Sequence, residues 1–106
     1  MDKIIYIHKD LAEGRWAEMS FREQMGNIGS EVSRSLRAKE LNKEKRMNSA
    51  IDRALELFDL SLSCNFGTKL VELCRAREEF CDYFFGNNSF HTDPVKMQRY
   101  YDSFVD

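Results

Sequence analysis

At 106 residues the chain has room for one hydrophobic core and can bury roughly two-thirds of the surface that its unfolded form exposes. With 42% hydrophobic and 32% charged residues the composition is that of a soluble domain, and one proline and five glycines exclude a turn-rich β architecture. A formal net charge of −2 supplies no global field to hold a polyanion such as duplex DNA, so any nucleic-acid contact has to be local.

No apolar run approaches the roughly 20 residues of a membrane span, and "MDKIIYIHKD" lacks the basic start, apolar middle and cleavage site of a secretory signal. The expectation is a cytoplasmic protein with no membrane partner. Cys64, Cys74 and Cys81 are odd in number and lack metal-ligand spacing. Cys74 and Cys81 fall about two helical turns apart, roughly 10 Å, too far to bridge. All three are expected to be buried thiols in a reducing compartment.

The segment 1–19 has no sustained period and reads as an extended N-terminal arm, with Ile5, Ile7 and Trp16 as the apolar pins that dock it. The first long helix opens with Ser20 as N-cap and Glu23 three residues later, a capping box in which each side chain satisfies a free backbone N–H. Phe21, Met25, Ile28, Val32 and Leu36 then recur at helical spacing. Beside that stripe runs a strip of small residues, Gly26, Gly29, Ser30 and Ser33. A glycine inside a helix costs about 1 kcal/mol relative to alanine, so the strip predicts close approach of another helix or of the arm, with a ligand against bare backbone as the alternative.

This helix is expected to run to about Asn42, where "ELNKEKRMN" forms a polar turn; an uninterrupted helix is the other option, disfavoured because soluble helices of about forty residues are rare without heptads. The second helix spans Glu44 to Cys64. Its apolar surface, from Met47 through Ile51, Ala54, Leu55 and Phe58 to Leu62, with Leu57 and Leu60 widening the arc, marks a central helix. "CNFGT" turns the chain, with Thr68 as the expected cap. The third helix presents Leu70, Leu73, Cys74, Phe80, Cys81 and Phe84 inward and stops at Gly86 in the left-handed conformation. Asp93 and Pro94 start a fourth, short helix with Met97, Tyr100 or Tyr101, and Phe104 inward. The predicted fold is all-α, an up-and-down bundle of three long helices and a short C-terminal one behind an extended N-terminal arm, in a single domain.

Arg77 falls at the same angular position as the apolar stripe of the third helix. A guanidinium facing a core costs several kcal/mol unless paired, so a carboxylate partner is expected, Asp59 or Glu31. That arrangement is a sealed structural arginine; the functional alternative is an anion or phosphate pocket built on Arg77 and its neighbour Arg75, because a planar fork on a rigid helix suits phosphate. Glu72, Arg75, Glu78, Glu79 and Asp82 form a mixed charged face and are expected in solvent. Neither His8 nor His91 lies on a predicted helix, so no metal site is expected, and no cysteine or serine stands with a histidine and an acid at a recognisable catalytic spacing. No catalytic residue and no cofactor are therefore assigned. The elbow from Arg34 to Arg46, with Arg37, Lys39, Lys43 and Lys45, is basic on an acidic chain; a helix C-terminus favours such cations, and an RNA partner, the alternative, would want aromatic platforms that the elbow lacks.

Taken together, "DLAEGRW", "EQMGNIGSEVSR", "AIDRALELFDLSL" and "CRAREEFCDYFFGNNSFHTDP" resemble an uncharacterised family of short all-helical bacterial and archaeal hypothetical proteins across almost the whole chain. The resemblance implies a compact helical domain that includes Trp16 and brings no activity with it. "RAREEFCDYFF" also resembles HEPN domains, helical bundles that include ribonuclease toxins, in which an arginine is followed four to six residues later by histidine. Here Cys81 stands where that histidine would be, so the expected acid/base or phosphate-orienting group is missing. The function expected is a non-enzymatic protein-interaction or regulatory module, with a protein partner or self-association through the aromatic "YFFGNNSF" loop and the tyrosines of the fourth helix. A HEPN-like nucleotide-binding or RNA-cleaving protein using Arg77, Arg75, Asp82 and Tyr83 is the alternative.

Overall fold

The computed structural model describes residues 14–105, which contain five helices and no strand. They are α1 (Trp16–Glu18), α2 (Phe21–Glu40), α3 (Glu44–Cys64), α4 (Gly67–Phe85) and α5 (Pro94–Asp102). The fold is an all-α helical bundle. α2 and α3 form a hairpin packed along its length, α4 leans on α3, and α5 returns onto α2. Ile5, Ile7 and His8 lie outside the described residues. Within 14–19 the chain makes the single turn α1 where an extended path was expected. The turn is held by a buried tryptophan: Trp16 is 2% exposed, and its indole Nε1 donates to Ser61 Oγ at 2.8 Å. Gln24 Nε2 donates in turn to the Trp16 carbonyl at 2.9 Å, so the polar groups brought in with the ring are satisfied.

The capping box forms, with the Glu23 amide donating to Ser20 Oγ at 3.1 Å and the Ser20 amide to the Glu23 carboxylate at 3.5 Å. At the other end α2 stops in a Schellman motif. Asn42 takes a left-handed φ of 56°, its amide bonds the Lys39 carbonyl at 3.1 Å, and the Lys43 amide reaches back to the Ala38 carbonyl at 2.8 Å. Asparagine tolerates that conformation better than other residues with a side chain, and this decides for a turn between α2 and α3.

Met25, Ile28 and Val32 of α2 meet Ile51, Ala54, Leu57 and Phe58 of α3 in the core, closed by Trp16, by Leu73 and Phe80 of α4, and by Met97 and Tyr101 of α5. Of the small-residue strip on α2, Gly29 is buried against a packing helix, α5, while Ser30 and Ser33 are exposed. A Cβ at Gly29 would stand 2.6 Å from Tyr101 Cβ, closer than real atoms approach, so only glycine admits α5 here.

α4 departs most from its predicted form. Only Leu73 and Phe80 of its expected inner face are fully buried; Leu70, Cys81 and Phe84 are half-buried and Cys74 is exposed. The three thiols are accordingly not buried: Cys64 and Cys81 are half-buried. The reason is that α4 packs broadly on α3 alone, so only a narrow stripe is covered. Phe66, not Thr68, is the residue before the helix, with no side-chain cap, and Gly67 supplies the turn at φ 63°. Gly86 is extended (φ −100°, ψ −155°), and the left-handed positions after α4 are Asn88 and His91. The helix end is organised by Asp82, whose carboxylate accepts from the Ser89 amide (3.1 Å), Ser89 Oγ (2.9 Å) and the Phe90 amide (3.1 Å). The last carbonyls of α4 are met by the Gly86 and Asn88 amides, and the Asp82 carboxylate holds the loop that follows.

Candidate functional site

Arg77 Nε donates to Asp59 Oδ1 at 3.2 Å, across the α3–α4 seam. The pair is not sealed: the side chains are 37% and 62% exposed, because the long arginine stem lies along the edge of the core while its head reaches solvent. Such a pair contributes less than about 1 kcal/mol. Cys81 lies beside it, its Sγ 3.9 Å from Arg77 Nη1. Burial pushes the Cys81 thiol up, Arg77 pulls it back in part, and Asp59 adds to the rise, so the thiol stays protonated at neutral pH. Glu31, the other partner considered, is on α2 and engaged elsewhere: it is 6% exposed and accepts from Arg34 Nη1 at 2.7 Å and Arg53 Nε at 2.9 Å. The HEPN-like residues do not converge. Two positions along a helix differ by roughly 200° in direction, so Arg75 points away from Arg77. Asp82 is committed to the loop, and Tyr83 lies under the ammonium of Lys39, 4.1 Å from the ring centre.

Arg75 lines a different feature, a groove of 680 Å³ between α4 and α5. One wall is Glu72, Arg75 and Glu79 of α4; the other is Lys96 and Tyr100 of α5; Ala76 and Met97 lie between them, and the loop residues Phe90 to Asp93 close one end. The charged face expected in solvent is therefore partly a groove wall. The Tyr100 hydroxyl donates to Glu72 Oε2 at 2.9 Å and ties the two helices together. Burial first, then that hydrogen bond and the charges of Glu72 and Glu79, raise the Tyr100 phenol well above its ordinary range, so it remains a neutral donor. Tyr101 is 2% exposed, and neither tyrosine offers the open apolar surface expected of it; Val71 (58% exposed) and Phe90 (59%) on the groove lips do.

The basic elbow also divides. Lys39 goes to Tyr83, while Arg34, Arg37, Lys43, Lys45 and Arg46 gather around a 400 Å³ cavity at the α2–α3 corner. Arg53 joins them, a residue that the sequence reading left out although Arg46, Ser49 and Arg53 stand at three- and four-residue spacing on one helix face.

Among the described residues no group of three His, Cys, Asp or Glu side chains could hold a metal ion, and no helix is long and apolar enough to cross a membrane. Comparison of the chain with protein-family models, curated proteins and solved structures finds no match.

Proposed function

We propose that this chain is a non-enzymatic protein-interaction module and that a segment of a partner protein docks in the α4–α5 groove. The observation that carries the reading is the groove itself, 680 Å³ in volume, with exposed Val71 and Phe90 at its lips over an Ala76–Met97 floor. Charge complementarity sets the occupant. Glu72 and Glu79 face one way across the floor from Lys96, with Arg75 between, which suits a peptide carrying an apolar anchor flanked by charges of both signs. The HEPN-like alternative draws less support, since Arg75 and Arg77 lie on different sides of α4 and Arg77 lines no cavity next to Arg75.

The test starts from proteins recovered with the tagged chain from its native host and identified by mass spectrometry. Each is then purified and titrated against the wild type, Val71→Glu, and Phe66→Ser as a control on exposed Phe66, which does not line the groove. A charge on the lip should weaken a true groove partner about tenfold or more, and the control should leave it unchanged. A partner indifferent to Val71→Glu overturns the groove as docking site. RNA cleavage that survives purification and disappears in a folded Arg77→Ala variant overturns the non-enzymatic reading.

A further inference from the structure

From the α2–α3 corner, away from the α4–α5 groove, we infer a second binding site, for a short chain of linked phosphates such as inorganic tripolyphosphate or the tail of a nucleoside triphosphate. The 400 Å³ cavity is lined by Arg34, Arg37, Lys43, Lys45, Arg46 and Arg53, with Ala38, Leu41 and Ser49 completing the wall, and no carboxylate is among the lining side chains. Its volume lies in the range of small-ligand pockets.

Two of the six cations share a buried carboxylate. Buried Glu31 accepts one N–H from Arg34 and one from Arg53, and each guanidinium keeps four more N–H donors. The carboxylate thus orients two forks at the cavity wall, the planar geometry that grips phosphate oxygens in pairs. Arg37, Lys43, Lys45 and Arg46 have no ion pair among the described residues.

The helix dipoles do not account for this crowd. Arg37, in the last turn of α2, is where a helix C-terminus favours a cation. Lys43 is the N-cap of α3, and Lys45 and Arg46 lie in its first turn, where the positive end of the dipole disfavours them; no side chain caps that end either. Like charges converge at the cavity, three of them at the positive end of α3, and a polyanion is the group that relieves their repulsion. An RNA backbone fits less well, because the cations converge on one cavity and no aromatic ring lines it for bases to stack on.

The test is calorimetric titration of the full chain with sodium tripolyphosphate, with a nucleoside triphosphate and with a short single-stranded RNA, at low salt and at high salt. The same titrations on an Arg37→Gln/Arg46→Gln variant, two exposed positions, follow a check of its helicity by circular dichroism. Tripolyphosphate should bind at low salt, weaken as salt screens the cations, and lose about tenfold or more in the folded double variant. Equal binding of the nucleoside triphosphate assigns the site to phosphate alone, and tighter binding adds a contact from the nucleoside to the wall at Leu41; both support the site. No tripolyphosphate binding at low salt, binding unchanged in the variant, or RNA bound more tightly than tripolyphosphate at equal charge overturns it. Since Val71 does not line this cavity, the outcome is independent of the groove's partner.

Discussion

The α2–α3 hairpin and the α4–α5 pair are built from the same kind of amphipathic helix and end up differently. α2 and α3 close on each other because small residues stand at the seam, Ala38 on α2 and Ala50 and Ala54 on α3, all buried. The large polar groups buried on that seam are satisfied, Glu31 by two arginines and Gln24 by the Trp16 carbonyl and Asn65. α4 and α5 instead face each other with Glu72, Arg75 and Glu79 against Lys96 and Tyr100. Side chains of that length and polarity cannot interdigitate dry, so the helices stand apart, joined by the Tyr100–Glu72 hydrogen bond and by the loop that Asp82 ties down. Both proposed sites follow from this contrast. One lies where helices fail to close; the other lies at the end of the hairpin that closes tightly.

The contrast can be broken most strongly at Gly29. Gly29→Ala forces a Cβ into Tyr101 and should cost about 1–3 kcal/mol, read as a lower urea midpoint at unchanged slope, with α5 amides losing protection first. Gly26→Ala, where the new Cβ would meet Val105 at an ordinary 3.5 Å, should instead be neutral or stabilising by helix propensity. Were both substitutions to behave alike, close packing of α5 on α2 would not be what Gly29 serves.

Tyr100→Phe sharpens the looser half. It removes the one hydroxyl that ties α5 to Glu72 and should cost about 1 kcal/mol by chemical denaturation, with faster amide exchange confined to α5. The smallest effect belongs to Asp82. Burial disfavours its charge, but the hydrogen bonds from Phe90 and Ser89, with His91 nearby, outweigh that and hold the carboxyl below its ordinary range. A carboxyl lowered in the folded state adds stability that is fully present above its unfolded pKa, about 3.9, and is lost as pH falls through the lowered value. Amide exchange at Ser89 and Phe90 should therefore rise only under acid, while Asp82→Asn should open the same amides at neutral pH. Equal protection of those amides in wild type and Asp82→Asn at pH 7 would remove Asp82 from its role.

Much of the frame was legible because it rests on local rules. Ser20 and Glu23 announced a helix start, Asp93 and Pro94 another, and the period of Met25, Ile28 and Val32 identified a core face before any partner for it was known. The errors cluster on α4, where burial depends on who covers the helix. Cys74 stands about 100° round the helix from Leu73, about two turns before Cys81, at the edge of the apolar stripe, and it is exposed because α4 packs broadly on α3 alone. Arg77 shares the stripe's angle, but a flexible stem let its head leave the core and meet Asp59 at the surface. Asp82 was read as one more solvated acid because its amide partners lie seven and eight residues ahead, beyond any helical spacing.

From sequence alone followed the four longer helices, the caps at Ser20 and Asp93, and the local surplus of cations between Arg34 and Arg46, all of which depend on residues within a few turns of one another. Only the tertiary structure decided that Glu31 would gather Arg34 with Arg53, twenty-two residues from Glu31 along the chain, and that Lys39 would leave the cluster for Tyr83. Only it decided that Arg75 would face a groove and Arg77 would not. The physical reason is the same throughout: periodicity gives a side chain its direction from the helix axis, and the neighbouring helix determines whether that direction leads to core, cavity or water.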